Sequence, residues 1–335
     1  MFILSTLCCY VIKEKKIMNT FEVKKTTELS TEEKHQIITL FNIIFEKERD
    51  VKEFDSIYYN NVKGYGYHTL MKADGAVVGH NAGIPCYYKV DGKEASAICN
   101  IDTMIHPKHR GIENYYDLMK STFDKYYAEG YDFIYGFPND NAFPLITGIK
   151  IMKFVGNLDT YCLPFRIGGI KKNFGFLNWA SILFCECWVH ISSLFASKGV
   201  SSFLIEKDEE TFNETRYKRM GGNYSKVSLS GLDFVYKVED YDGIRAAFLI
   251  DVTQKSAKNF CRAAKYIWKQ EKKNCDIILY VGVLSFNKTG FIKIPRKYEP
   301  KKFNFTAILN TKVLGKKDFY DISSWDMNLS NYDLI

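Results

Sequence analysis

One stretch of this 335-residue chain constrains its fold more than any other, because it contains two tight turns in succession. Apolar runs at 67–72 and 76–84 flank the turn Ala73-Asp74-Gly75, a pattern that predicts a β-hairpin. A second turn, Asp91-Gly92, returns the chain through 95–105. Three antiparallel strands are therefore expected to follow one another.

A helix and one further strand are expected next. Apolar spacing predicts a helix over 112–128 that ends at Gly130, and the aromatic and β-branched run 131–137 predicts a strand. A strand joined to its predecessor by a helix runs parallel to it. Upstream, Ser30 and Glu33 form the capping-box pattern that begins an amphipathic helix. The expected order is helix, three strands, helix, strand.

This order resembles the GNAT superfamily of acyltransferases at the phrase Ile105-His106-Pro107-Lys108-His109-Arg110-Gly111, which joins the third strand to the helix. The resemblance is good over 20–165 and weaker beyond. Within the superfamily it is specific to one branch, whose members often belong to bacterial surface-polysaccharide gene clusters. The motifs that resemble this branch are Gly79-His80-Asn81, Asp102-Thr103-Met104 and Tyr135-Gly136-Phe137-Pro138-Asn139.

The strand-to-helix junction is where the resemblance implies a cofactor site. A helix N-terminus presents unpaired backbone N–H groups to an anion such as the pyrophosphate of coenzyme A. The family pattern there is Arg-x-x-Gly-x-Gly or Ala; Arg110 and Gly111 match, while Glu113 replaces the central glycine and Tyr115 the final small residue. The resemblance implies acetyl-CoA as cosubstrate, with the following residues predicted to bind it: Met104, Ile105, His106, Arg110, Gly111, Glu113, Asn114, Tyr115, Asn139 and Asn141.

Glu113 leaves the strength of that binding open. A carboxylate about 5 Å from one phosphate charge costs on the order of 3 kcal/mol at an effective dielectric near 20, roughly a hundredfold in affinity. A negative side chain in the first turn of a helix stabilises the helix by only about 0.3–1 kcal/mol. Binding suffers if Glu113 points at the phosphates, and it persists if the side chain points outward.

Attack of an amine on a thioester needs a base for the ammonium and an acid for the leaving thiolate. Strict alternation along the third strand places Asn100, Asp102, Met104 and His106 on one polar face. Asp102 is the candidate base, and a hydrogen-bonded structural carboxylate is the alternative. His106 precedes Pro107 and is expected to orient the turn.

The leaving-group acid is less clear from the sequence. In the family it is commonly a tyrosine in the pattern Asn-x-x-Ala-x-x-x-Tyr, and counting from Asn139 puts Ile146 at that position. Tyr135 is therefore the candidate acid, with Tyr161 as a substitute, although each also fits an aromatic of the core or cleft wall. Asn139 and Asn141 are candidate partners for the pantetheine arm or caps of a turn.

The remainder of the chain resembles a second, diverged GNAT-like half. Strands are expected at 202–206, 248–252, 276–284, 303–309 and 325–329, with helices at 209–220 and 256–269. The link Asp251-Val252-Thr253-Gln254-Lys255 has no glycine or arginine, so a second pyrophosphate site is not expected. The predicted domains are 18–166 and 201–335, joined by an apolar helical linker at 167–200.

The apolar segment 174–196 is about long enough to cross a bilayer, but it contains Glu186 and His190. We therefore expect a buried or interfacial helix between the domains, with no membrane span; peripheral membrane contact stays open. Nine cysteines without a Cys-x-x-Cys pattern predict neither disulfides nor a metal site. A cytoplasmic location is the default expectation.

Taken together, these patterns predict an α/β protein made of tandem GNAT-like folds, each a mixed, mostly antiparallel sheet flanked by helices. The expected function is transfer of an acetyl group from acetyl-CoA to a small amine such as an amino sugar or amino acid. A degenerate, non-catalytic binding protein is the alternative. The net charge of +7 is spread over scattered lysines, which disfavours a nucleic-acid partner, including aminoacyl-tRNA as a donor.

Overall fold

The computed structural model describes residues 19–332, apart from 210–211, 213–214, 220–221, 242, 287–288, 300 and 311–315. Within these residues the chain forms an eight-stranded and a six-stranded sheet, with helices packed against them. Most neighbouring strands are antiparallel, and one pair in each sheet is parallel. The predicted fold class is thereby confirmed.

The first elements include two that the sequence patterns did not predict. Strand β1 (Thr20–Lys25) lies at the edge of the larger sheet, and helix α2 (Val51–Tyr59) follows the first helix. Helix α1 (Thr31–Phe45) begins at the predicted capping box. The Ser30 hydroxyl accepts from the N–H of Glu33, and the Glu33 carboxylate accepts from the N–H of Ser30.

The predicted order of three strands, helix and strand is confirmed. Strands β2 (Tyr67–Ala73), β3 (Ala76–Val90) and β4 (Lys93–Ile105) form an antiparallel run. Helix α3 (Ile112–Ala128) has the predicted bounds. It leads to β5 (Phe133–Gly136), which pairs parallel to β4.

Among the later elements, the sequence patterns did not predict the strands Lys153–Asn157, Asp159–Pro164, Tyr224–Leu229, Leu232–Tyr241 and Ile292–Lys293. Most of the predicted later elements are present with different ends. The strand expected from 202 begins at 205, part of the helix expected at 209–220 lies outside the described residues, and the 325–329 region forms only single bridges at Trp325 and Asn328. The elements in chain order are α4 (Phe143–Gly148), β6 (Lys153–Asn157), β7 (Asp159–Pro164), α5 (Ile167–Ile170), α6 (Asn178–Phe195), β8 (Ile205–Lys207), β9 (Tyr224–Leu229), β10 (Leu232–Tyr241), β11 (Ile244–Val252), α7 (Ala257–Glu271), β12 (Ile277–Gly282), β13 (Ile292–Lys293), β14 (Asn304–Leu309) and α8 (Lys316–Phe319).

The two halves repeat one arrangement and exchange a strand. The unit β11–α7–β12, with parallel strands, repeats β4–α3–β5. The larger sheet has the order β1-β2-β3-β4-β5-β14-β6 with β8 paired to β3, and the smaller has the order β13-β7-β12-β11-β10-β9. Strand β7 therefore pairs with β12 of the second half, while β14 pairs with β5 of the first.

This exchange affects the predicted domains. The division into 18–166 and 201–335 stays a prediction, but β7 lies in the smaller sheet, and β8 and β14 lie in the larger one. The sheets also share a core, in which the fully buried Trp325 contacts Phe133 and Phe305 at ring-centroid distances of 5.4 and 4.9 Å. The two halves are consequently packed as one body.

Of the two placements expected for the apolar linker helix, buried or interfacial, burial is wrong. Only Cys185, Val189 and Ser192 of α6 are buried, because one narrow face packs against α7 and the core of the second half. Much of the remaining surface of the helix is not covered by other described residues.

Candidate active site

Strand β4 contains an irregularity near its end. Ala82 pairs with Ile101 and His80 with Met104, so the register shifts between these two pairs. Asp102 has φ +50°, a left-handed conformation that aspartate tolerates better than most residues. This β-bulge moves the side-chain alternation by one residue.

Because of the bulge, the predicted polar face that joined Asn100 to Asp102 is wrong. The Asn100 side chain lies on the α3 side, where Asn81 Nδ2 donates to Asn100 Oδ1 at 2.8 Å. Thr103 donates to Asn81 at 2.5 Å, and Asn81 also donates to Thr122 of α3 at 3.3 Å. Asp102 points the other way, toward α1 and α2.

The Asp102 carboxylate is held in a buried ion pair. Arg49 Nη1 donates to Oδ2 at 2.5 Å, and the Tyr58 hydroxyl donates to the same oxygen at 2.6 Å. The side chains of Arg49 and Asp102 are each only 5% exposed. Burial alone would raise the pKa of Asp102, but the Arg49 charge and the two hydrogen bonds outweigh it, so the pKa lies below its usual value. This geometry favours the structural alternative over a catalytic base, a role that stays a prediction.

A wide cleft opens at the strand-to-helix junction, as the sequence predicted for the cofactor. Its volume is ≈ 850 Å³. Gly111, the N-cap of α3, makes no side-chain capping bond, and a Cβ added there would meet no atom within 4 Å. Arg110 Nε donates to the carbonyl of Ile105 at 3.2 Å, which fixes the arginine stem at the cleft wall. The junction thus combines an uncapped helix N-terminus, free space and a cation, which fits a pyrophosphate.

Seven of the ten predicted cofactor residues line this cleft, and three do not. His106 accepts from the N–H of Lys108 at 3.3 Å and caps the turn, as expected. Asn114 donates to the carbonyl of His109 at 2.8 Å. Glu113 is exposed and lies outside the cleft wall, which corresponds to the outward orientation. The predicted residues that do line the cleft are Met104, Ile105, Arg110, Gly111, Tyr115, Asn139 and Asn141.

A smaller inner cavity of ≈ 250 Å³ adjoins the cleft. It lies where β4 and β5 separate, since their parallel pairing ends at Asn100 and Gly136. Thr103 and Tyr115 line both spaces, as do Phe45, Asn139 and Ala142 on the opposite walls. A donor in the outer cleft would therefore present its reactive end to the inner cavity at Thr103 and Tyr115.

The second half supplies part of the inner cavity, which the sequence patterns did not reveal. Lys301, Thr306 and Tyr332 line it, because β14 is inserted beside β5. Lys301 Nζ donates to the Tyr332 hydroxyl at 2.7 Å. Burial and the charge of Lys47 lower the pKa of the Lys301 ammonium.

The structure does not bring the candidate acid Tyr135 to the cleft. Its ring is buried in the core shared by the two sheets, where Tyr88 lies at 5.6 Å between ring centroids and the hydroxyl is 3.8 Å from Cys86 Sγ. Burial raises the pKa of Tyr135 well above its usual value. The substitute Tyr161 lies on β7 of the smaller sheet and lines neither space.

Two other residues at the inner cavity bear on the missing acid. Ile146, at the position of the family tyrosine, forms part of the cavity wall and has no proton to give. Tyr115 is nearly buried at the boundary of the two spaces, and burial raises its pKa to about 12. Its phenol stays protonated near neutral pH and is available as a hydrogen-bond donor.

Asn139 takes the structural role that the sequence left open. Its side-chain oxygen Oδ1 accepts from the N–H groups of Asn141 and Ala142, at 3.1 and 2.9 Å, and so stabilises the turn that precedes α4. Among the described residues, no cluster of three or more histidine, cysteine or acidic side chains is arranged to hold a metal ion.

Comparison with known proteins agrees with this architecture. Residues 25–146 match the family model for the acetyltransferase (GNAT) domain. A conserved protein of unknown function from Enterococcus faecalis V583, described as a probable N-acyltransferase, has a TM-score of 0.55 at 13% identity; the match covers 87% of this chain and 73% of that one. A GCN5-related N-acetyltransferase from Anabaena variabilis ATCC 29413 has a TM-score of 0.55 at 11% identity, and the match covers the same shares of the two chains. Eis1 from Mycobacterium abscessus has a TM-score of 0.50 at 10% identity; the match covers 87% of this chain and 74% of that one. No curated protein matches the sequence.

Proposed function

We propose that the protein is an N-acyltransferase that moves an acetyl group from acetyl-CoA to a small amine, since residues 25–146 match the family model for the acetyltransferase (GNAT) domain. The observation that carries the proposal is the pair of adjoining spaces that meet at Thr103 and Tyr115. The outer cleft suits an extended anionic donor, and the inner cavity suits a compact acceptor such as an amino sugar or amino acid.

The proposed binding of acetyl-CoA depends on the N-terminus of α3. The helix has 17 residues, and its first-turn N–H groups are free of a capping side chain. Backbone N–H groups at such a terminus bind phosphate, and the helix dipole adds to the attraction. Arg110 supplies a cation at the cleft wall. Glu113 is exposed outside this wall, so solvent screens its repulsion of the phosphates.

The chemical step needs a donor for the leaving thiolate and an acceptor for the proton of the ammonium. Tyr115 lines the boundary between cofactor and acceptor, and we assign it the hydrogen bond to the developing thiolate. Lys301 is the candidate proton acceptor, because burial and Lys47 destabilise its charged form. Asp102 lines the inner cavity, but Arg49 and Tyr58 both donate to its Oδ2, and we assign it the positioning of β4 without proton exchange.

One observation favours the non-catalytic alternative. The position of the usual acid is occupied by Ile146, which gives that wall of the cavity an apolar surface. A protein that binds a CoA-type ligand without turning it over would retain Arg110 and Gly111 and need no acid.

Calorimetric titration with acetyl-CoA separates these possibilities, using Arg110→Gln and Glu113→Gln as a matched pair. We expect micromolar binding by the wild type, about tenfold weaker binding by Arg110→Gln, and a change of less than about threefold for Glu113→Gln. Turnover is then measured as release of free thiol with a panel of amino sugars and amino acids.

The outcomes are distinct. Binding without thiol release for any amine, over a wide range of pH, supports the non-catalytic alternative. Absence of binding at millimolar acetyl-CoA contradicts both functions. A gain near a hundredfold for Glu113→Gln would mean that the side chain faces the phosphates, contrary to its orientation here.

A further inference from the structure

Helix α6 presents an unusually apolar outer surface. Its buried stripe contains Cys185 and Val189, and at 100° per residue Leu183 and Leu194 lie on the opposite side. Leu194 is 79% exposed. The large exposed apolar side chains on this helix and the turn before it are here called the α6 face: Phe174, Phe176, Trp179, Leu183, Phe184, Trp188, Ile191, Leu194 and Phe195.

The α6 face is too large for a chance feature of a soluble surface. Phe176 is 71%, Trp179 70% and Phe195 69% exposed. With Phe184 and Trp188, the exposed aromatic area alone is roughly 600 Å², taking 150–250 Å² for each ring. The largest apolar patch on a typical monomer is about 300–600 Å², and larger ones mark an interaction site.

We propose that the α6 face binds the protein peripherally to an anionic lipid bilayer, with the helix lying in the plane of the membrane surface. Helices with this surface bury an apolar face at the headgroup boundary and keep cations near the phosphates. Tryptophan is especially favourable there, since its ring is amphipathic.

The packing of α6 excludes a spanning orientation. Lys172–Phe195 is long and apolar enough for a membrane-span candidate within the described part of the chain. However, Cys185 and Val189 belong to the core of the second half, and Trp188 Nε1 donates to the carbonyl of Gly290 at 2.8 Å. A span would require these contacts to be lost, whereas a surface orientation leaves them in place.

The charges at the ends of the helix distinguish a lipid surface from a second copy of this chain. Lys171 and Lys172 precede the helix and Lys198 follows it, and all three are exposed. A parallel two-fold pairing of α6 would place like ends together, and an antiparallel pairing would bring Lys171 and Lys172 beside Lys198 of the other copy. Either arrangement brings like charges close together, which is unfavourable, whereas anionic headgroups would neutralise them.

Vesicle flotation with the full chain tests the proposal. We expect binding to phosphatidylcholine vesicles containing 25% phosphatidylglycerol, and at least tenfold weaker binding to phosphatidylcholine alone. Trp179→Gln/Leu194→Gln should weaken binding to the anionic vesicles at least tenfold, because two exposed apolar side chains leave the lipid. Lys171→Gln/Lys172→Gln should weaken it about thirtyfold.

Two controls make the result specific. Ile43→Gln changes an exposed apolar residue on another surface and should bind like the wild type. Ile3→Gln/Leu4→Gln alters a second apolar run of the sequence, at residues 1–12, and should also leave binding unchanged. Circular dichroism checks that each variant keeps the wild-type fold.

Three results would overturn the proposal. One is absence of binding to the anionic vesicles; another is loss of binding only when residues 3 and 4 are changed. The third is a lipid-free dimer in sedimentation velocity that Trp179→Gln/Leu194→Gln dissociates, which would assign the α6 face to a second copy of the chain.

Discussion

The Arg49–Asp102 pair offers the sharpest test of how this site is built. The perturbation is Arg49→Met, which removes the guanidinium and keeps most of the side-chain volume. In the wild type Arg49 donates to Asp102 at 2.5 Å, with both side chains 5% exposed. The substitution leaves the Asp102 carboxylate buried, with the Tyr58 hydroxyl still donating to it at 2.6 Å.

The expected cost follows from this burial. Removing one partner of a buried ion pair destabilises a protein by about 3–5 kcal/mol, a large part of a total free energy of unfolding of about 5–15 kcal/mol. Asp102→Asn should cost less, about 1.5–3 kcal/mol, because Arg49 keeps Glu53 at 3.5 Å and the Phe41 ring at 3.5 Å. The double variant should recover at least 2 kcal/mol relative to the sum of the single changes.

The effect of pH has a definite sign. In the wild type the pKa of Asp102 is lowered in the folded state, so its contribution to stability is full above the unfolded pKa near 3.8 and is lost as pH falls through the folded value. Without Arg49, burial dominates and raises the folded pKa above 3.8. The destabilisation by Arg49→Met should therefore shrink as pH falls from 7 toward 4.

Urea unfolding of the four proteins at pH 7 and pH 4.5 measures both effects, and acetyl transfer is assayed on the same samples. We expect Asp102→Asn to keep at least a tenth of the wild-type kcat with an unchanged pH profile. Additive stability changes would refute the ion-pair argument. A loss of kcat above a hundredfold in a stably folded Asp102→Asn variant would instead identify Asp102 as the base.

Three further predictions concern the donor boundary, the acceptor cavity and the division of the chain. Tyr115→Phe should lower kcat about 10- to 100-fold with little change in the calorimetric Kd for acetyl-CoA, because it removes one hydrogen bond to a developing charge; an unchanged kcat would exclude this role. Lys301→Met should abolish the rise of kcat/KM with pH that a base with a lowered pKa produces, whereas the exposed control Lys302→Met should retain it; the same profile in both variants would exclude Lys301. A fragment of residues 1–166 should lack a cooperative unfolding transition, since β5 loses β14 and β7 loses β12; a two-state transition like that of an intact domain would contradict the strand exchange.

Local signals were sufficient for the order of elements in the first half. The turns at Asp74-Gly75 and Asp91-Gly92 have φ values of +48°, +84°, +50° and +73°, which aspartate and glycine tolerate. The capping box at Ser30 and the apolar spacing of 112–128 are equally local. Such patterns depend on neighbours in sequence, so they are readable from one chain.

The bulge at Asp102 could not be predicted in the same way. The rule that side chains alternate between the two faces of a strand assumes a regular strand. The extra residue can be recognised only from the pairing of β4 with β3. One inserted residue separated Asn100 from Asp102 and turned the candidate base toward Arg49. Arg49 lies 53 residues away in sequence, and its role depends on α2, which the sequence patterns did not identify.

Local sequence patterns do not reveal the strand exchange either, and the exchange changes what the second half does. From sequence, the second half was expected to form a separate domain at 201–335 without a pyrophosphate site of its own. Instead β14 is inserted beside β5, and the chain on either side of it brings Lys301 and Tyr332 to the inner cavity. Pairing between β5 and β14 stabilises the larger sheet and also completes the wall of the inner cavity, the proposed acceptor site. A change that weakens this pairing should therefore reduce acceptor binding and global stability together, whereas a change at Arg110 affects the donor alone.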